Sequence, residues 1–118
     1  MVGTIYKNIF DVEKPHYQSI DKLLERIDKG KSKEKVELIR QTLDKGKRNE
    51  LKKDLPCVVF SGKYGKRTDN NCIEPSGFIV LDFDNLENLR DFQTEIISSE
   101  YCYSCWVSPS GDGLKALF

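Results

Sequence analysis

Residues 78–84 read Phe-Ile-Val-Leu-Asp-Phe-Asp, and no other segment restricts the fold of this chain as sharply. The run is apolar on both faces until its end, so it predicts a central strand covered on both sides. Pro75-Ser76-Gly77 marks a turn before it. After it, Leu86, Leu89, Phe92 and Ile96 recur at helical spacing, with Asp84 or Asn85 as the expected cap. Tyr101 to Val107 predicts another strand. The stretch from Phe78 to Val107 therefore predicts a β-α-β unit, parallel and right-handed. A tight loop over Ser108–Gly113 leads into a last strand, Leu114 to Phe118.

Upstream, Gly3 to Phe10 reads as a first strand. Tyr17, Ile20, Leu23, Leu24 and Ile27 form one helical stripe, which Gly30 stops. Ser32 is placed to cap a second helix, with Val36, Ile39 and Leu43 inward and Gly46 at its end. A short helix is expected over 48–54, broken by Pro56. Cys57 to Phe60 reads as an apolar strand, and Ser61 to Asn71 as a polar, glycine-punctuated loop. The order β-α-α-β-β-α-β-β is that of an α+β domain. At 118 residues the chain suffices for one domain, residues 1–118, and not for two. Its apolar end, with no polar tail, predicts a cut inside a larger domain.

Apolar residues make up 38% and charged residues 32%, polar for a globular domain. Six Phe, five Tyr and one Trp nevertheless argue against disorder. No apolar run approaches the roughly 20 residues of a membrane span. The N-terminus lacks the basic and apolar regions of a signal peptide. A small cytoplasmic domain is expected, with no membrane partner. Nineteen basic residues balance nineteen acidic ones, but unevenly. Residues 21–54 carry twelve basic against eight acidic groups, residues 55–71 three against one, and residues 72–118 two against eight. Such a division suits a protein that holds a polyanion with one part and a cation with the other, or simply a solvated helical surface.

Three segments carry candidate chemistry. Asp82 and Asp84 alternate with Phe83, so they share a strand face with Cα atoms about 6.5–7 Å apart. Two carboxylates at a strand end can hold Mg²⁺ or Mn²⁺, and metal ions so held serve phosphoryl and nucleotidyl transfer. Burial of both without a cation would be costly. The competing reading makes Asp84 a helix cap and leaves Asp82 exposed. The second segment is Ser108-Pro109-Ser110-Gly111-Asp112-Gly113-Leu114-Lys115. Such a loop can turn backbone N–H groups toward a phosphate while Lys115 adds a point charge, or it can be an ordinary hairpin. The third is Ser61–Asn71, where Lys63, Lys66 and Arg67 could grip phosphates and Tyr64 stack a base, or decorate a solvated hairpin. Its glycine spacing is not that of a Walker loop. Cys102 and Cys105 have zinc-like spacing, but residues three apart on a strand face opposite sides, so all four cysteines are expected as free thiols. His16 is the only histidine, which disfavours histidine-dependent catalysis.

Together PCVVFSGKYGKRTDN, SGFIVLDFDNL and CWVSPSGDGLKALF resemble the VirE N-terminal domain family of bacterial mobile-element and phage proteins. The pattern is also similar to the archaeo-eukaryotic primase-polymerase superfamily. The resemblance spans about residues 55–118. It implies a primase-polymerase-like fold, with a helical N-terminal unit beside a partly truncated, mixed sheet like that of an RNA-recognition fold. It places Asp82 and Asp84 as catalytic ligands of Mg²⁺ or Mn²⁺. It places Ser108, Ser110, Gly111, Gly113 and Lys115 around a nucleoside triphosphate, with Lys115 where the superfamily has a histidine. Lys63, Lys66 and Arg67 would contact nucleic-acid phosphates. The implied function is nucleotidyl transfer in DNA replication, with DNA and a helicase-like region as partners. The alternative keeps the fold as a non-catalytic nucleotide- or nucleic-acid-binding module, and a purely structural domain is the third reading. A haloacid-dehalogenase phosphatase would want Thr or Val where Leu86 stands, and a glycosyltransferase would need a larger nucleotide-sugar domain.

Overall fold

The computed structural model describes the backbone of residues 1–118 and every side chain except that of Asp69. Strand β1 (Val2–Tyr6) lies between β2 (His16–Ser19) and β3 (Cys57–Val59), antiparallel to both. Three helices intervene between β2 and β3: α1 (Ile20–Asp28), α2 (Lys33–Gln41) and α3 (Lys45–Lys52). A hairpin of β4 (Gly62–Tyr64) and β5 (Cys72–Pro75) follows. The last unit comprises β6 (Val80–Phe83), α4 (Leu89–Ile97), β7 (Ser104–Val107) and β8 (Leu114–Leu117). The α+β class expected from the sequence is therefore present, with four α-helices and three small antiparallel sheets. Among the described residues no helix is long and apolar enough to cross a membrane.

Several boundaries moved for identifiable reasons. The first helix does not begin at Tyr17, because His16–Ser19 pairs with β1. Ser19 then caps α1, its side chain accepting from Lys22 N. The expected second helix stops at Gln41, and the short helix expected over 48–54 begins earlier, at Lys45, because Asp44 caps it by accepting from Lys47 N at 3.0 Å. Gly46 thus lies inside α3, and Leu43, expected inward, is 95% exposed in the link. The predicted loop 61–71 contributes a strand, β4. Helix α4 starts after Asn88, so neither Asp84 nor Asn85 caps it.

The larger correction concerns the 78–84 segment. Strands β6 and β7 do not pair with each other. Both pair antiparallel with β8, in the order β6-β8-β7. They run the same way, as a β-α-β unit requires, but β8 is inserted between them and the sheet is antiparallel rather than mixed. The buried central strand is β8, where Leu114, Ala116 and Leu117 are at most 1% exposed. Strand β6 is an edge, with Leu81 and the preceding Ile79 exposed.

Side-chain alternation explains how the two faces of this sheet are covered. Phe83 stacks edge-on against Phe92 of α4, with ring centroids 5.0 Å apart. On the opposite face Leu117 joins Ile5, Ile20, Leu23 and Phe60 in the main core. Trp106 packs against that core and lies 5.6 Å from the Phe60 ring. Burying each large aliphatic side chain here contributes about 1.5–3 kcal/mol. Lys115 and its cross-strand partner Asp82 share the face of Leu117, so they look toward the N-terminal unit.

A buried hydroxyl joins the first sheet to the hairpin. Thr4 is fully buried; its Oγ1 donates to Gly62 O at 2.8 Å and accepts from Tyr64 N at 3.0 Å. Thr4→Val should leave both backbone groups unpaired and cost about 1–3 kcal/mol. Urea unfolding of Thr4→Val beside Thr4→Ser measures this, with the serine variant retaining most of the stability. Equal losses in the two variants would assign the effect to packing instead.

Candidate phosphate and cation cleft

The loop after β7 is built to a tight specification. Ser108 N donates to Gly113 O at 2.9 Å, and Gly111 N donates to Ser108 O at 3.0 Å. Gly111 has φ +86°, which a side chain rarely adopts. A Cβ at Gly113 would stand 2.5 Å from the Phe83 carbonyl oxygen and 3.3 Å from Asp84 Oδ1. Gly113 is thus the position that lets the end of β6, and Asp84 with it, lie against the loop. Leu86 N donates to Asp112 O at 2.8 Å, fastening the β6–α4 connection to the same loop. Between them Asn85 takes φ +55°, a conformation that asparagine tolerates.

Two arginines from the helical unit grip this loop from outside. Arg40 of α2 donates from Nη2 to Ser108 O at 3.0 Å, and its side chain lies beside Gly111. Arg48 of α3 donates from Nη2 to Ser110 O at 2.5 Å. Between α3 and the loop runs an open cleft of about 360 Å³. One wall is the α3 face of Lys45, Arg48, Asn49 and Lys52, spaced at i, i+3, i+4 and i+7. The other carries Asp84, Asn85, Ser110 and Asp112.

The loop hydroxyls are committed to Asp112. Ser110 Oγ donates to Asp112 Oδ1 at 2.7 Å, and Ser108 Oγ lies 3.0 Å from Ser110 Oγ. The Ser108 hydroxyl therefore donates to Ser110. The Ser110 hydrogen bond, aided by the charges of Arg48 and Lys52, holds the Asp112 carboxyl below the usual carboxylate range.

The predicted residues do not all meet here. Asp82 is engaged by Lys115, whose Nζ lies 2.7 Å from its Oδ1 directly across the β6–β8 ladder. Asp82 lies in β6 and Asp84 one residue past its end, and only Asp84 lines the cleft. Both are exposed, so the cost of burying like charges gives no argument for a metal. Among the described residues no three His, Cys, Asp or Glu side chains gather as a metal cluster. Asp84 and Asp112 are two oxygen-donor side chains on one wall of the cleft, the ligand type that a hard cation such as Mg²⁺ takes.

Lys63, Lys66 and Arg67 sit on the β4 side. Lys63 Nζ lies 4.8 Å from the Tyr17 ring centroid, and Lys66 reaches Glu13 at 3.5 Å. Arg67 donates to Ile9 O and lies 3.4 Å from the Cys57 sulfur. None of the three lines the cleft. The four cysteines are free thiols. Sequence reasoning missed Lys45, Arg48, Lys52 and Asp112 as cleft residues, and Arg40 as the residue that anchors the loop. Asp44 was the available signal, since a cap there puts Lys45, Arg48 and Lys52 on one stripe.

The BT4734-like, N-terminal domain family model matches residues 50–118. The chain belongs to this family. The match covers the acidic wall of the cleft, with Lys52 from the basic one, and leaves Lys45 and Arg48 outside. No curated protein and no solved structure matches the chain.

The Asp112 carboxylate has a testable signature. Its folded pKa is depressed, so its contribution to stability is present above the unfolded value, about 4, and is lost as pH falls through the folded value. Ser110→Ala should raise the Asp112 midpoint in carboxyl NMR titrations and narrow the stability difference between neutral and acid pH. An unchanged midpoint would remove Ser110 as the cause.

Proposed function

We propose that this domain is a primase-polymerase-like, nucleotide-binding module that holds a nucleoside triphosphate and its divalent cation between α3 and the Ser108–Gly113 loop. The observation that carries the reading is one cleft with a cationic wall, Lys45, Arg48 and Lys52, facing carboxylates Asp84 and Asp112. A free triphosphate is a polyanion and its Mg²⁺ or Mn²⁺ is a hard cation, so the complex is complementary to both walls. Lys45 and Lys52 supply mobile point charges to the phosphates. Arg48 has its Nη2 fixed on Ser110 O, so it fixes the loop's distance from α3. Asp84 and Asp112 would hold the cation, which when bound neutralises phosphate charge and makes the α-phosphorus a better electrophile.

Two roles implied by the family resemblance are revised within this reading. Lys115 serves Asp82, and Asp82 supports the strand end rather than the cation. The nucleotidyl-transfer reading, with DNA and a helicase-like region as partners, rests on the resemblance and on Asp84 in this cleft. The Lys115–Asp82 pair favours the second reading, a domain that binds nucleotide without transferring it, because it occupies one of the two expected metal ligands.

Calorimetric titration of the chain with ATP or dATP and Mn²⁺ tests the site. Saturable binding is expected, weakened about tenfold or more by Lys52→Ala and by Asp84→Asn, and little changed by Asp82→Asn in a folded variant. Absence of binding in the folded wild type overturns the proposal. Primer extension with a labelled strand then separates transfer from binding alone.

A further inference from the structure

The link between α1 and α2 opens a second crevice of about 460 Å³. Arg26, Lys31, Lys33 and Lys35 line it, with Glu34 as the only acid. Among the described residues Arg26 and Lys31 have no ion-pair partner. Lys33 reaches Glu37 only at 4.0 Å, and Lys35 meets Asp54 at 3.1 Å. These side chains are 53–73% exposed, so their pairs are weak and easily exchanged for a stronger anion. The Lys35–Asp54 contact sets the start of α2 beside the chain leaving α3, and Pro56 completes the crevice. Helices α2 and α3 are therefore antiparallel. The cationic side chains of α3 line the nucleotide cleft and not this crevice.

We propose that this crevice is a phosphate track that takes the sugar-phosphate backbone of a single-stranded nucleic acid. The cations line concave surfaces between elements, which suits a flexible strand threading them rather than a helix entering a duplex groove. No aromatic side chain lines the crevice, so the track positions a strand without reading its sequence. It is preferred to the β4 hairpin as the nucleic-acid surface because four cations share one crevice here, whereas Lys63, Lys66 and Arg67 turn to Tyr17, Glu13 and Ile9 separately. The inference rests on the nucleic-acid part of the proposed function and not on its nucleotide cleft.

The test is fluorescence anisotropy of a labelled oligothymidylate with the whole chain, across a salt series. Arg26→Glu/Lys31→Glu should weaken binding about tenfold or more and reduce the log–log salt slope by about 1.4, at roughly 0.7 per phosphate contact. Lys63→Glu/Lys66→Glu should change affinity less than about threefold, as expected of cations off the track. If the reversal variant does not fold, Arg26→Gln/Lys31→Gln should still flatten the slope. An equal or larger loss from the hairpin variant overturns the proposal. So does wild type that binds triphosphate but no oligonucleotide, a result that leaves the nucleotide cleft standing. Capture by anionic lipid vesicles without oligonucleotide binding also overturns it, in favour of a membrane surface.

Discussion

Strand β8 is the piece on which the last unit depends. Without it β6 and β7 have no partner, since neither bonds to the other. It contributes Leu117 to the core shared with β1 and α1, and it presents Lys115 to Asp82. Gly113, just before it, sets the loop against the end of β6. Four residues of strand thus fix the sheet, the core junction and the geometry of the acidic wall.

The helical unit acts on the site through two backbone contacts. Arg40 and Arg48 each donate to a loop carbonyl, not to another side chain. Guanidinium donors suit this role because they hold charge and geometry together. The cleft is consequently a property of how two units are joined, not of either sheet. Its charge separation follows the division along the chain, in which 21–54 is basic and 72–118 acidic.

Much of this was legible from the residues, and the failures share a physical origin. The α+β class, the strand carrying Asp82 and the Ser108–Gly113 loop all follow from local pattern. The central position of 78–84 does not. An apolar run of that length reads as fully buried, yet β8 took the centre because its own short run could pair on both sides. Tyr17 fitted a helical stripe, but pairing with β1 won, and Ser19 was the cap that marked the true start. Asp82 lies in β6 opposite Lys115, while Asp84, one residue past the strand, lines the cleft. Alternation places two residues on one face, but it cannot say that Lys115 stands opposite the first. Cross-strand register is a long-range property that spacing within one strand does not encode.

The outer edge of β6 has a further consequence. It carries exposed Leu81, with exposed Ile79 just before it, on a strand whose other edge is free of pairing among the described residues. Such edges recruit strands from other molecules unless charge blunts them. Asp82 lies in this strand and Asp84 just beyond it, and charge at such an edge disfavours that pairing. Neutralising both at once removes a ligand candidate and an aggregation guard together. The oligomeric state of such a variant therefore reports on colloidal behaviour as much as on the cleft.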